Sequence, residues 1–433
     1  MSKLWQKKNS VINKLVESYT VAEDYKLDKE ICLYDMEASW AHAQGLHKIG
    51  LLTSKELATL KKGLAALKAD WLAGKIEITV ADEDCHTMIE NYLVKKIGAV
   101  GKKIHSGRSR NDQVLVALRL YLKDSLFKVR GLSLQVAESL LKKANQYKNV
   151  PISGYSHYQI AMISSVSHYM GAYLESVLDD IDFLDKVISS LDKNPLGSAA
   201  GFGVNVALDR AFTADKLNFS AIQVNSLYCQ NSKGKMESMY LEALSQLMLT
   251  AGRVANDFII FTMKELNFFQ VDESLTTGSS IMPQKKNLDT MEILRANVKV
   301  VISNGLLIKN LAVGVLSGYN RDTQLLKKPI FESTKITLDS LQILDLLINN
   351  FVPNEEEIKS KIGVEILAAD VALNLVKTKG LAFRDAYREA MANLPKDKVD
   401  YVKEIKKKIS LGSAGNLGLE IYNKRIKQLK VRA

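Results

Sequence analysis

The sequence predicts an all-α fold built around a bundle of long helices, and three observations predict it. Only six prolines interrupt 433 residues, at 151, 195, 283, 329, 353 and 395. In most of the intervals between them, apolar residues recur at steps of three and four, the period of a helix with one buried face. Segments with the alternating pattern of a half-buried strand are few and short. Helices of about 25 residues or more bury their apolar stripes best against one another, and that requirement specifies a bundle.

Taken in order, residues 1–107 read as a mixed, mainly helical N-terminal domain. Its one strand candidate is GKIEITV at 74–80, in a small excursion or turn. The periodicity breaks at GKKIHSGRSR, and a central domain is expected over 108–353. After RNDQV, residues Leu118, Leu122, Leu126, Val129, Val136 and Leu140 keep one helical face apolar, with Lys123, Arg130 and Lys142 among the polar positions between. Further long helices are expected over roughly 235–265, beginning MESMYLEALSQLMLTAGRV, and over roughly 288–312. Near NNFVPNEEE, Pro353 stops a helix and Asn354 can cap the next, whose positive N-terminal end suits the three glutamates that follow. Residues 354–433 then form a small helical C-terminal domain. No internal repeat or low-complexity segment occurs.

Composition narrows the function classes. With 47% hydrophobic and 25% charged residues the chain is an ordinary globular protein. No run approaches the ~18 apolar residues of a membrane helix, and MSKLWQKKNSVINKL lacks the apolar centre of a signal peptide, so a cytoplasmic location is expected. Cys32, Cys85 and Cys229 are odd in number and lack CxxC spacing, which suggests neither disulfides nor a metal site; they are expected to be small core residues. The net charge of +11 is spread among scattered lysines, and the one dense run, Lys406–Lys408, reads as a solvated helix face. Without interleaved aromatics, zinc spacing or a helix-turn-helix pattern, nucleic acid is not an expected partner.

Three polar, glycine-containing stretches carry candidate chemistry. In HSGRSRNDQV (105–114), Ser109 or Asn111 can cap the long helix, and Arg108 and Arg110 offer planar forks suited to a carboxylate; the same string is also simply a good helix cap. PISGYSHYQ (151–159) sets Ser156, His157 and Gln159 side by side, and His157 is a candidate acid or base if a partner orients it, although a lone histidine is more often structural. TTGSSIMPQKKNLDT (276–290) breaks an otherwise helical region. Gly278 allows an unusual turn, Ser279 and Ser280 supply hydroxyls, Lys285 and Lys286 supply charge, Asn287 supplies an amide, and Asp289 or Thr290 can open the next helix. A lysine and several N–H donors would stabilise a serine alkoxide or a developing enolate-like charge. A solvated linker is the plain alternative, and Ile281-Met282-Pro283 argues against it by suggesting a loop folded onto the protein.

HSGRSRNDQV, GYSHYQ and GSSIMPQKKN, in this order, resemble the three signature regions of the aspartase/fumarase superfamily. GRSRNDQV together with GSSIMPQKKN is similar to the argininosuccinate lyase branch. EDCHTMIE (83–90), NPLGSAAGFG (194–203), GYNRDTQ (318–324) and GSAGNLGLE (412–420) extend the resemblance over nearly the whole chain. It implies cleavage of argininosuccinate to arginine and fumarate, the last step of arginine biosynthesis, without metal or organic cofactor. It also implies a three-domain helical fold whose long helices join four subunits in one core, with each active site built from three chains. By the same resemblance Ser279 is the base, Lys285 and Asn287 hold carboxylates and stabilise the carbanion, and His157 is oriented by Glu292. Ser109, Arg110, Asn111, Ser156, Gln159, Tyr319, Gln324, Lys327 and Asp28 are implied to contact substrate, and a cationic cleft would attract its three carboxylates.

The chain also departs from that pattern. Ser156 stands where the family commonly has threonine, and Asp24 where many members carry serine. YQIAMISS replaces LQxAQP, NSLYCQNSKGK (225–235) replaces a more acidic segment, and NLD replaces NPD. A sister lyase that releases fumarate from another succinyl-amine and a catalytically silent relative are the alternatives. The loop over 277–286 is expected to be mobile and to close on substrate.

Overall fold

The computed structural model describes residues 13–431. Ten helices organise the chain: α1 (Cys32–Lys48), α2 (Ser54–Leu72), α3 (Cys85–Ile97), α4 (Arg110–Gln146), α5 (Val166–Leu191), α6 (Lys235–Thr262), α7 (Asp289–Leu311), α8 (Lys327–Asn350), α9 (Ala368–Lys379) and α10 (Leu419–Val431), with shorter turns of helix between them. The three long helices expected from periodicity correspond to α4, α6 and α7. Along α4 the whole expected stripe from Leu118 to Leu140 is buried. Arg130, expected on the polar side, is buried as well and donates to the Leu429 carbonyl at 2.8 Å.

The chain folds as two compact units. The first holds the described residues up to Lys128 with Leu184–Ser245 and Val301–Lys335. Its N-terminal helices are set by local chemistry. Thr53 and Glu56 form a reciprocal capping box at the start of α2, and Asp84 accepts from the Thr87 amide at 2.8 Å to start α3. Gly63 lets α2 approach α3 closely, since a Cβ there would stand 2.9 Å from a Leu93 methyl. Ala38 and Ala41 of α1, Val116 and Leu120 of α4, and Leu196, Leu217 and Phe219 close one core.

The strand expected at 74–80 does not form. Residues 75–79 are irregular, and Thr79 closes a turn by donating from its amide and hydroxyl to Asp82 at 3.0 and 2.7 Å. The alternation in GKIEITV has no neighbouring strand to satisfy its backbone groups.

The second unit holds Val129–Phe183, Gln246–Val300 and the described residues from Ile336 onward. A hairpin of β1 (Pro151–Ser156) and β2 (Gln159–Ser165) follows α4, where the sequence shows only a break between helices. A second antiparallel pair, β3 (Phe269–Val271) and β4 (Phe351–Pro353), lies over packed rings, with Phe258, Phe269 and Phe351 at centroid distances of 4.8–5.2 Å. Gly252 brings α6 against Val298 of α7, where a Cβ would fall 2.8 Å from a methyl. As expected, Asn354 caps the helix Glu355–Ser360, whose first turn carries three glutamates. The three cysteines are buried and free.

Candidate active site

Ser109 is the residue that opens α4. Its hydroxyl accepts from the Asn111 amide at 3.2 Å, and its own amide donates to Asp112 at 2.9 Å. Asp112 is fully buried and also accepts from the amides of Gly197 and Ala199, at 3.0 and 2.9 Å, which ties NPLGSAAGFG to the start of the helix. Arg108 turns inward and donates to Ser39 at 2.9 Å, so its fork serves the interior.

One turn further, Arg110 and Asn111 line a cavity of about 340 Å³ together with Asp24, Tyr319, Gln324 and Lys327. Residues of the first motif therefore share one cavity with residues of GYNRDTQ, with Lys327 and with the N-terminal Asp24. Their hydrogen-bonding capacity is partly committed. Arg110 is clamped by Glu83, at 3.2 Å, and by Asp84. Gln324 donates to the carbonyls of Thr20 and Val21 at 3.1 and 3.3 Å and accepts from Arg321 at 3.0 Å. Lys327 lies between Asp24, at 2.8 Å, and Asp28, at 2.5 Å. Burial opposes its charge, yet the two carboxylates hold its pKa well above the ordinary lysine value. Asp24 is displaced the other way, its carboxyl raised by burial in spite of Lys327. Asp28 is fully buried behind Lys327, which with the Cys85 amide at 3.0 Å takes up its carboxylate.

EDCHTMIE supplies another wall. His86 faces the cavity from α3; its Nδ1 is 2.7 Å from Asp35, while its buried Nε2 has no protein partner. Burial disfavours the imidazolium, but Asp35, with Asp84 and Asp28, raises the ring's pKa. Asp35 in turn accepts from Gln113 at 3.0 and 3.1 Å. Lys233 lines the same cavity. The sequence drew attention to both segments, EDCH as family support and 225–235 as a departure, without giving either residue a role. Asp28, Cys85 and His86 bring potential metal-ligand atoms within 4.8 Å of one another. A cation there would have to displace the Lys327 ammonium from Asp28, so this set does not fit a resident metal.

The other two motifs belong to the second unit. Ser156, His157 and Gln159 are exposed at the hairpin tip, where His157 and Tyr158 both take left-handed conformations, φ 53° and 60°, as a two-residue turn joining twisted strands requires. The third stretch forms a loop whose ends are pinned by paired backbone hydrogen bonds between Thr277 and Asn287, at 2.9 and 3.0 Å. The Ser279 hydroxyl accepts from the amides of Ile281 and Met282 at 3.3 and 3.1 Å, and Lys286 pairs with Glu273. Lys285 is exposed, and Asn287 donates to the Gly278 carbonyl at 3.4 Å. Asp289, not Thr290, is the first residue of α7, and Glu292 is exposed on its first turn. Among the described residues, the side chains of His157 and Glu292 make no ion pair or hydrogen bond with each other. The expectation that Ile281-Met282-Pro283 folds onto the protein is corrected: all three are exposed, Ile281 at 83%. An apolar triplet signals burial, but the chain itself provides no surface that covers it.

A family model described as "Lyase" matches residues 12–303. The chain is 41% identical to an argininosuccinate lyase of Thermotoga neapolitana over 89% of its own length and 96% of that protein. It belongs to the argininosuccinate lyase family. A relative of that name from Xanthomonas campestris pv. campestris is 38% identical and is covered, like this chain, over 99% of its length. Among solved structures, EDDS lyase in complex with formate aligns with TM-score 0.82 at 20% identity, covering 96% of this chain and 91% of that one. A class II fumarase from Schistosoma mansoni aligns with TM-score 0.76 at 15% identity, covering 96% and 94%. The long-helix fold expected of the subunit from the motifs is thus the fold observed.

Proposed function

We propose that the protein is an argininosuccinate lyase that splits argininosuccinate reversibly into arginine and fumarate. The observation that carries this reading is near full-length similarity to argininosuccinate lyases in a chain that keeps Ser279, Lys285, Asn287, His157 and Glu292. Ser279, as alkoxide, takes a proton from the succinyl methylene. The electron pair left behind is held as an aci-carboxylate by Lys285 and Asn287, and then forms the fumarate double bond as the carbon–nitrogen bond breaks. The guanidino group is already protonated in the substrate, so it leaves with that bond's electrons as a neutral guanidine and then regains a proton, while Ser279 releases the one it took. Ser109, Asn111, Ser156, Gln159, Tyr319, Gln324 and Lys327 position the substrate in this scheme, and the charge of Arg110 is held in place by Glu83 and Asp84.

The active assembly we propose is a homotetramer in which three subunits complete each site. Two features support it. His157 is exposed at a hairpin tip and Ser279 is half-buried on a loop, with the exposed apolar side chains of Tyr158 and Ile281 beside them. Helix α7 also leaves Ile293, Ile302, Leu306 and Leu307 exposed, a stripe that a neighbouring copy can bury. The division into domains at 107/108 and 353/354 belongs to this reading, and so does a cytoplasmic location. No helix among the described residues is long and apolar enough to cross a membrane.

The test is to mix purified protein with argininosuccinate and follow fumarate by its ultraviolet absorbance, with adenylosuccinate, aspartate and malate in parallel. Fumarate from argininosuccinate alone is the expected result. Release from a different succinyl-amine alone would make the protein a sister lyase, and no release from any would make it a silent relative.

A further inference from the structure

The segment 225–235, where the chain departs from the family pattern, reaches the cavity through a single side chain. A short helix, Ser226–Asn231, ends just before Lys233, and α6 begins just after it. Gly234 makes the turn between them at φ 79°, where a Cβ would stand 2.6 Å from the Ala312 side chain. Any other residue at 234 would be strained and crowded, so the turn fixes where Lys233 points. The Lys233 Nζ lies 4.5 Å from the centre of the Tyr319 ring and 3.5 Å from the Asn111 carbonyl oxygen.

What distinguishes Lys233 is that no carboxylate of the described residues pairs with it directly, although Glu237 and Asp112 favour its charge from farther off. Arg110 is clamped by Glu83 and Asp84, and Lys327 is held by Asp24 and Asp28. Arg321 donates to the Thr20 carbonyl at 2.9 Å and to Gln324. Glu237, one turn into α6, directs its carboxylate to the Gly234 amide at 2.6 Å. Among the described residues, Lys233 has no carboxylate in ion-pair contact, and burial lowers its pKa to about 7. A desolvated ammonium with one long hydrogen bond and one ring face is under-satisfied. A carboxylate brought in by a ligand supplies what is missing.

We propose that Lys233 is a substrate-recognition residue whose ammonium binds a carboxylate of the substrate in the cavity lined by Asn111, Tyr319 and Lys327. This rests on the argininosuccinate lyase reading and adds to it: the divergent segment does not alter the fold at a distance but places one of its two lysines, Lys233, at the substrate. Because a lysine holds a carboxylate as a compact point charge, a guanidinium should substitute for it in charge while changing the geometry.

The experiment compares Lys233→Met, Lys233→Gln and Lys233→Arg with the wild type in steady-state turnover of argininosuccinate, with circular dichroism to confirm the fold of each. Losing one charge-assisted contact should raise KM about tenfold to a hundredfold in the Met and Gln variants, with a smaller change in kcat, and Arg should restore much of the loss. Calorimetric titration of argininosuccinate into Ser279→Ala, with and without Lys233→Met, should show the same ratio in Kd. A folded Met or Gln variant with KM within about twofold of wild type overturns the proposal, as does a kcat loss with unchanged KM. Wild-type turnover separates the two readings: an inactive wild type refutes the assigned reaction, while an active wild type with an indifferent Lys233 refutes only this inference.

Discussion

Lys327 is the strongest structural lever in the first unit. Its ammonium lies 2.5 Å from Asp28 and 2.8 Å from Asp24, and both Lys327 and Asp28 are buried. Lys327→Met keeps most of the volume and removes the charge, leaving two acids without their cation. Asp28 would retain only the Cys85 amide. Removing one partner of a buried pair costs about 3–5 kcal/mol, chiefly because the remaining charge stays desolvated. The loss should appear in urea unfolding at pH 7.5, followed by circular dichroism, as a lower midpoint with unchanged slope. Adding Asp28→Asn should recover part of it, since a neutral amide needs no cation. Lowering the pH to 5 should also narrow the gap between Lys327→Met and wild type. Orphaned buried carboxylates have raised pKa values, so they take up protons in the folded state and their penalty shrinks as the pH falls through those values. A loss below about 1 kcal/mol, or no recovery on adding Asp28→Asn, would show that the triad is not the electrostatic unit the geometry describes.

Other outcomes follow from the same coordinates. Ser279→Ala should abolish fumarate release while sedimentation shows the assembly unchanged; substantial residual turnover would remove Ser279 as the base. The loop over 277–286, pinned by the Thr277–Asn287 backbone pair and by Lys286 to Glu273, should exchange its amide hydrogens quickly in the free protein and slowly with substrate, and equal protection in both states would count against closure. Burial raises the Asp180 pKa to about 6, so the folded state binds an extra proton between about pH 4 and 6 and its stability falls as the pH rises through that window. Asp180→Asn, which can still accept from Thr250, should flatten this slope and gain about 1–2 kcal/mol at pH 8, an expectation that identical wild-type and variant profiles would contradict. Leu306→Lys, on the exposed stripe of α7, should dissociate the assembly and remove activity with helical content retained; full activity of a monomer would refute shared sites.

How far the sequence could be read depended on the range of the interactions involved. The stripe from Leu118 to Leu140 is legible because a helix repeats its environment every three or four residues, and Asn354 and Pro353 are legible because capping and helix breaking act within one turn. Strands need partners that local pattern does not provide. GKIEITV alternates and stays irregular, whereas β1 and β2 pair across a His157–Tyr158 tip that carries none of the Asn-Gly or Asp-Gly signal of such turns. The polar loops were legible as candidate sites by residue type. The pairing of Lys327 with Asp28, 299 positions apart, and the unpaired state of Lys233 were not, because both depend on which side chains share a cavity.

The division of labour within one chain explains why burial misleads at the third motif. Ile281 is apolar and 83% exposed, and Tyr158 beside His157 is 82% exposed. A monomeric protein gains nothing from showing large apolar groups next to its reactive residues, since covering each would be worth roughly 1.5–3 kcal/mol. The cost is sensible if the cover comes from other copies and from substrate. The cavity of Asn111, Lys233 and Lys327 lies within one unit of the folded chain, so it can select a ligand before chemistry begins. In the proposed tetramer, the half-buried serine and the exposed histidine would gain their environment only on assembly and loop closure. That proposal assigns recognition to the folded subunit and proton transfer to the oligomer, so a chain that folds without assembling should bind argininosuccinate weakly and leave it intact.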